Sequence, residues 1–170
     1  MDIESFLQNL KVRLDAVTSA DELLKPIATG IAGFFSLRDH EVGVFAVNHK
    51  KHEIAFLWPQ GVTTGHIPLK AMNSLVAKTA NELVTTLDNS FAKSRHLFIF
   101  EFMLAEKSDR IPIQKIMSVP VIANGESKAV IQVVRKGADI ADAGEDFTDQ
   151  DLSALVKIAD LLALYNLQGA

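Results

Sequence analysis

The sequence predicts an α+β domain: an antiparallel sheet of five or six strands, with the N- and C-terminal helices on one face and a shorter helix and loops over the other. Three observations predict it. Apolar residues recur at helical spacing at both ends, as Ile3, Phe6, Leu7, Leu10, Leu14 and Val17, then Leu23, Leu24, Ile27, Ile31, Phe34 and Phe35, and finally Leu152, Leu155, Val156, Ala159, Leu162 and Ala163. Between them, Val119, Val121 and Ala123 alternate with Pro120 and Ile122, Asn124-Gly125 supplies two residues that tolerate positive φ, and Ala129 to Val134 returns as an apolar strand. Thr148 with Asp151 three residues on, between Phe147 and Leu152, then reads as a capped and stapled helix start. Each apolar stripe must be buried against another element, which layers the helices on the sheet.

The elements follow in order. Residues 1–37 read as two helices, the second opened by the S-x-x-E box of Ser19 and Glu22 and kinked at Pro26, whose ring removes a backbone donor. Residues 41–136 read as the sheet and the segments that cover it. Val42 to Val47 and Glu53 to Trp58 are strands joined across Asn48 to His52, with Ile54, Phe56 and Trp58 on one face by the period of two. Gly61 to His66 is loop, Ile67-Pro68-Leu69 is extended, Met72, Leu75 and Val76 mark a short helix ending near Thr79, and Glu82 to Leu87 is a strand. Leu97 to Leu104 has both strand and helix periodicity, and we read it as a helix. Residues 148–167 form the last helix.

Composition narrows the function. A chain of 170 residues, 48% hydrophobic and 22% charged, suits one domain with one ordinary core. The net charge of −4 gives no electrostatic reason to expect nucleic acid, since phosphate binding needs clustered Lys and Arg. Asp2 and Glu4 stand where a signal peptide would be basic, and no apolar run is long enough to span a membrane, so a cytoplasmic protein is expected. With no Cys, disulfides, thiolate metal sites and cysteine nucleophiles are excluded. No G-x-S-x-G elbow, phosphate loop or H-E-x-x-H helix occurs, and the chain is expected not to be an enzyme. The carboxylates of Asp139, Asp142, Glu145 and Asp146 lack calcium-loop order and read as a solvated acidic loop, so no metal site is expected.

Four segments in chain order, SVPVI, NGE, AVIQVVRK and FTDQDLSAL, resemble a set seen in GAF domains: a VP-apolar strand, a short Gly turn, a GVLQLVNK-like strand and an FTEEDLELL-like helix start. As a set they identify a small-molecule-binding sensory or regulatory module, related to PAS domains. The resemblance implies that the segment from Leu97 to Leu104 covers the ligand side of the sheet. GAF domains that attach a bilin do so through a Cys, so covalent bilin is excluded here. The free methionine sulfoxide reductases of the family depend on thiolates, which this chain lacks. Some members use His as an axial haem ligand; only His96 lies beside the aromatic segment, and haem is not expected. The cyclic-nucleotide signature falls on Arg135, Lys136, Phe147 and Asp151, with Arg135 in place of Asn and Leu152 in place of Glu. Lys136, Phe147 and Asp151 are read as a structural clamp between the last strand and the last helix, and cyclic-nucleotide binding is kept as an alternative.

The resulting expectation is a module that binds an unidentified small molecule and passes the bound state to a partner subunit or effector, with a ligand-free dimerisation scaffold as the alternative. The aromatic cover of Phe98, Phe100 and Phe102, joined by Trp58, is expected to line the cavity. Arg95, His96, Arg110, Ser118 and Gln132 are the candidate polar groups. Ile158, Leu161, Leu164 and Tyr165 extend the last helix's apolar surface beyond one face, so a homodimer built on this helix and the first is expected. The chain is read as either a stand-alone protein or the sensor end of a longer one.

Overall fold

Side-chain caps set where the helices begin. Asp2 Oδ1 accepts from Ser5 N at 3.0 Å and opens α1 (Ile3–Asp15). Ser19 Oγ accepts from Glu22 N at 3.4 Å and opens α2 (Ala20–Phe35), which continues through Pro26 and closes on Ser36 in the left-handed region. The computed structural model describes residues 1–60, 66–71, 73–93 and 111–168. Strands β1 (Val42–Asn48), β2 (Glu53–Trp58), β3 (Ile67–Pro68), β4 (Thr86–Asp88), β5 (Ile113–Ala123) and β6 (Glu126–Lys136) form one sheet in the order β3-β2-β1-β6-β5-β4. Every pairing in it is antiparallel. Asn124 and Gly125 take φ of 55° and 79°, and their shared positive sign matches the twist of the long β5–β6 hairpin they close.

Alternation along the strands divides the core in two. Val42, Val44, Met117, Val119, Val121, Ala129, Ile131 and Val133 face a helical layer of α1, α2 and α4 (Asp149–Leu162). Phe45, Val47, Ile54, Ile113, Ile116, Val130 and Val134 face the other way, toward α3 (Leu75–Glu82) and Phe91. β4 pairs with β5 only as far as Ser118. Two residues beyond it stands Pro120, which has no N–H to offer a further neighbour and so blunts the edge.

Several boundaries differ from the expected ones. α3 starts later and ends later than Met72 to Thr79, because Ser74 caps it through Ala77 N at 3.2 Å and Leu83 closes it in the left-handed region. That leaves Thr86–Asp88 for β4 in place of Glu82 to Leu87. The reciprocal box of Thr148 and Asp151 opens α4 as expected, but the helix ends at Leu162. Lys128 explains the early stop: its ammonium donates to Ala163 O at 2.9 Å and to Tyr165 O, taking carbonyls that would otherwise need helical partners. Ile158, assigned to the outer surface of this helix, is fully buried on the sheet. The buried face is Ala154, Leu155, Ile158, Ala159 and Leu162, one position round from the expected stripe. The expected helix from Leu97 to Leu104 lies outside the described residues.

Strand β2 carries one further correction. Phe56 pairs with Phe45 and Trp58 with Val44, so Leu57 is an extra residue in its strand. A one-residue bulge turns everything beyond it to the opposite face. Ile54 and Phe56 therefore belong to the α3 side, whereas Trp58 packs with the helical layer.

The loop after β6 is tied down as well as solvated. Asp139 and Asp142 accept backbone N–H groups within it, and Asp146 reaches Lys115 Nζ at 2.7 Å. Gly137 is required there, since a Cβ on it would meet Ala143 N at 2.5 Å. Among the described residues no helix is long and apolar enough to cross a membrane.

Candidate functional site

Among the described residues, a transverse row of small and polar residues interrupts the apolar α3 face of the sheet. Gly43 of β1 pairs with Gln132 of β6, Gln132 with Ser118 of β5, and Ser118 with Thr86 of β4, so small or polar residues cross four strands in register. Thr79 comes down on this row from α3. Its hydroxyl lies 2.8 Å from Ser118 Oγ and 2.9 Å from Leu75 O, and Gln132 Nε2 donates to Ser118 Oγ at 3.1 Å. Thr79 and Ser118 are wholly buried and Gln132 is 3% exposed. Around them stand Phe45, Phe91, Ile116, Val130 and Val134. A neighbouring hydroxyl bridge, Ser127 Oγ to Ala80 O at 2.7 Å, completes a polar attachment of α3 to the sheet.

Ser118 and Gln132, expected as pocket groups, are thus brought together. Trp58 is not among them, because the bulge sends it to the other face. Arg95, His96, Phe98, Phe102 and Arg110 lie outside the described residues. Thr79 was missed, since the sequence places the helix too early and ends it near this residue, whereas it runs on to Glu82. Gly43 was missed as well, and its alignment with Gln132 exists only once the strands are paired.

The expected clamp is corrected. Lys136 pairs with Ile113, a residue of the α3-side core, whereas Phe147 lies in the helical-layer core and Asp151 in the first turn of α4. Asp151 Oδ2 is engaged by Thr148 N at 2.8 Å. Successive residues of a strand point to opposite faces, so the join is made one position earlier. The Arg135 guanidinium lies 4.8 Å from the centre of the Phe147 ring, and its Nη2 donates to Phe35 O at 3.1 Å. Lys115, opposite Arg135 across the strands, holds Asp146 and donates to Gly144 O. Lys136 and Asp151 stand on opposite sides of the sheet.

At the end of β6, Glu41 is buried and accepts Arg38 Nη2 at 2.9 Å and Lys136 N at 2.9 Å. His40 stands beside it, half-buried. Burial, and next the positive charge of Lys136, holds its imidazole below the ordinary value of 6.5.

No family model matches the chain, and no curated protein matches it in sequence. Solved structures do match. The GAF domain of a phosphoenolpyruvate-protein phosphotransferase from Coxiella burnetii superposes with a TM-score of 0.74 at 11% identity, over 96% of this chain and 92% of that one. The corresponding domain from Acinetobacter gives 0.69 at 15% identity, over 94% and 89%. The free methionine-R-sulfoxide reductase of Neisseria meningitidis, solved in complex with its substrate, gives 0.68 at 15% identity, over 95% and 86%. The chain has the GAF fold, with its six-stranded antiparallel sheet and helical layer. The third match overturns the expectation that the chain is not an enzyme. That expectation rested on missing motifs of other folds and on the absence of Cys, whereas this fold is itself shared by reductases.

Proposed function

We propose that this chain is a sensory or regulatory module of the GAF kind that holds a small molecule against the α3 face of its sheet, with Gln132, Ser118 and Thr79 as the recognising groups. The observation that carries this reading is the buried polar row. A face that only had to pack would carry branched aliphatic residues at positions 118 and 132, as the helical face does at the neighbouring Val119 and Ile131. Buried hydroxyl and amide groups stabilise little in net terms when paired and cost more when left unpaired, so their presence favours a role in recognition. The Neisseria reductase, solved with its substrate, supports a small molecule as the occupant of such a fold. Gln132 and the hydroxyls are uncharged, which favours a ligand with an apolar body and a neutral hydrogen-bonding edge. The compartment is the cytoplasm.

In this reading the bound state is passed on through the helical layer to a second copy of the chain. Val12 of α1 and Leu164 after α4 are 70% and 74% exposed and form part of that surface. Placing Glu at both positions is expected to leave a folded monomer in light scattering.

The test of the site is a thermal-shift and calorimetric screen of metabolites, cyclic nucleotides included. A ligand specific to the folded state stabilises it by about 2.7 kcal/mol at a hundred times its dissociation constant. Gln132→Leu is expected to remove most of that gain. A ligand that stabilises Gln132→Leu and Ser118→Ala as well as the parent sits elsewhere. A screen without hits, together with a more stable Gln132→Leu variant, leaves the dimerisation scaffold as the reading.

A further inference from the structure

The edge strand β4 and the turn after it touch both layers of the molecule. Thr86 stands in the polar row of the α3 face, Leu87 packs against the helical-layer core, and alternation carries Asn89 to the side of Leu87. Phe91, in the 3₁₀ turn Phe91–Lys93 that follows, drops back into the α3-side core and is 3% exposed. Between these two anchors the Asn89 amide reaches across to Phe147. Its Nδ2 donates to Phe147 O at 3.0 Å and its Oδ1 accepts from Phe147 N at 2.9 Å. One side chain thus takes both backbone groups of the residue just before the Thr148 cap, where the helical ladder of α4 does not reach. Phe147 is itself a junction: its buried ring lies 4.8 Å from the Arg135 guanidinium, and Arg135 Nη2 donates to Phe35 O at the last residue of α2. The start of α4 and the end of α2 therefore meet at a residue that Asn89 holds.

We propose that Asn89 couples the two faces of the sheet: a displacement of the Phe91 turn moves Phe147 through the paired amide and resets the start of α4 against the end of α2. The proposal rests on the sensory reading for its purpose, since it supplies a connection from the α3 face to the helical layer. Two neutral hydrogen bonds, each modest in net terms, favour the closed clamp over an open one by roughly tenfold to a hundredfold. The open form is then populated at the per-cent level, where a small bias from either face shifts it. The pairing also demands an amide, because an ionised Asp offers Phe147 O no donor and Ala offers nothing.

The test is amide NMR of the full chain, with a substitution in place of a ligand as the perturbation. Phe91→Leu is expected to shift the amides of Phe147 and of Asp149 to Leu152, together with those of Ser36 and Leu37 after α2. In the Asn89→Ala background the same substitution is expected still to shift Ile116 and Met117 on β5, while the α2 and α4 responses are lost. Asn89→Asp, nearly the same size, is expected to lose them as well, which assigns the coupling to the hydrogen bonds and not to packing. It also stands in for the alanine variant should that one fail to fold. The proposal is overturned if Phe91→Leu moves the start of α4 equally with and without Asn89, if it moves it in neither background, or if Asn89→Asp transmits as the parent does. A metabolite screen without hits leaves these shifts as they are, and their absence leaves the α3-face site to its own test.

Discussion

Val44, Ile131 and Val119 lie side by side across three strands on the helical face of the sheet; one residue along each strand, on the α3 face, the same neighbours are Gly43, Gln132 and Ser118. The first row is sealed by α1, α2 and α4 through apolar contacts. The second is bridged to α3 by hydroxyl and amide hydrogen bonds. Hydrophobic burial is non-directional and large per residue, whereas a buried hydrogen bond is directional and small in net terms. One face is therefore built for stability, and the other trades stability for directed polar groups. The difference between them is the physical basis of the proposal that recognition lies on the α3 side.

The largest expected effect tests the stable face. Ile158→Ala should cost about 2–5 kcal/mol in urea unfolding, as for a fully buried aliphatic residue, without changing the oligomeric state. Dissociation of a dimer with unchanged monomer stability would return Ile158 to an outer surface and break the comparison. On the other face, Ser118→Ala removes the acceptor of Gln132 and the partner of Thr79 at once. It should cost about 1–3 kcal/mol, the penalty for stranding buried polar groups. If it costs nothing, the polar row is not the constraint described here.

Thr148→Ala is expected to cost about 1 kcal/mol, because it removes one half of the capping box that starts α4. The smallest effect is a pH dependence at His40. Its folded-state value lies below 6.5, so below that pH the unfolded chain binds more protons than the folded one. Stability should be fully present above 6.5 and fall as the pH drops from 6.5 toward the depressed folded value, and His40→Asn should flatten that part of the curve. A profile that rises on acidification would reverse the assigned sign and place a carboxylate, not Lys136, as the dominant neighbour.

Local sequence determined a good deal of this molecule. The caps at Ser19 and Thr148, the positive-φ pair Asn124-Gly125 and the amphipathic stripes of α1 and α2 depend on neighbours within a few residues, and each was legible for that reason. Ser118 and Gln132 were legible as polar residues in apolar strands, though not as a pair. What tertiary structure decided was everything that depends on register or on a distant partner. One extra residue at Leu57 turned Trp58 to the other face, strand alternation gave the contact with Phe147 to Arg135 instead of Lys136, and Lys128 ended α4 before its apolar pattern did. None of these leaves a local signal, because a strand's faces are exchanged by a single-residue shift and a helix's last carbonyls accept whichever donor the fold brings to them.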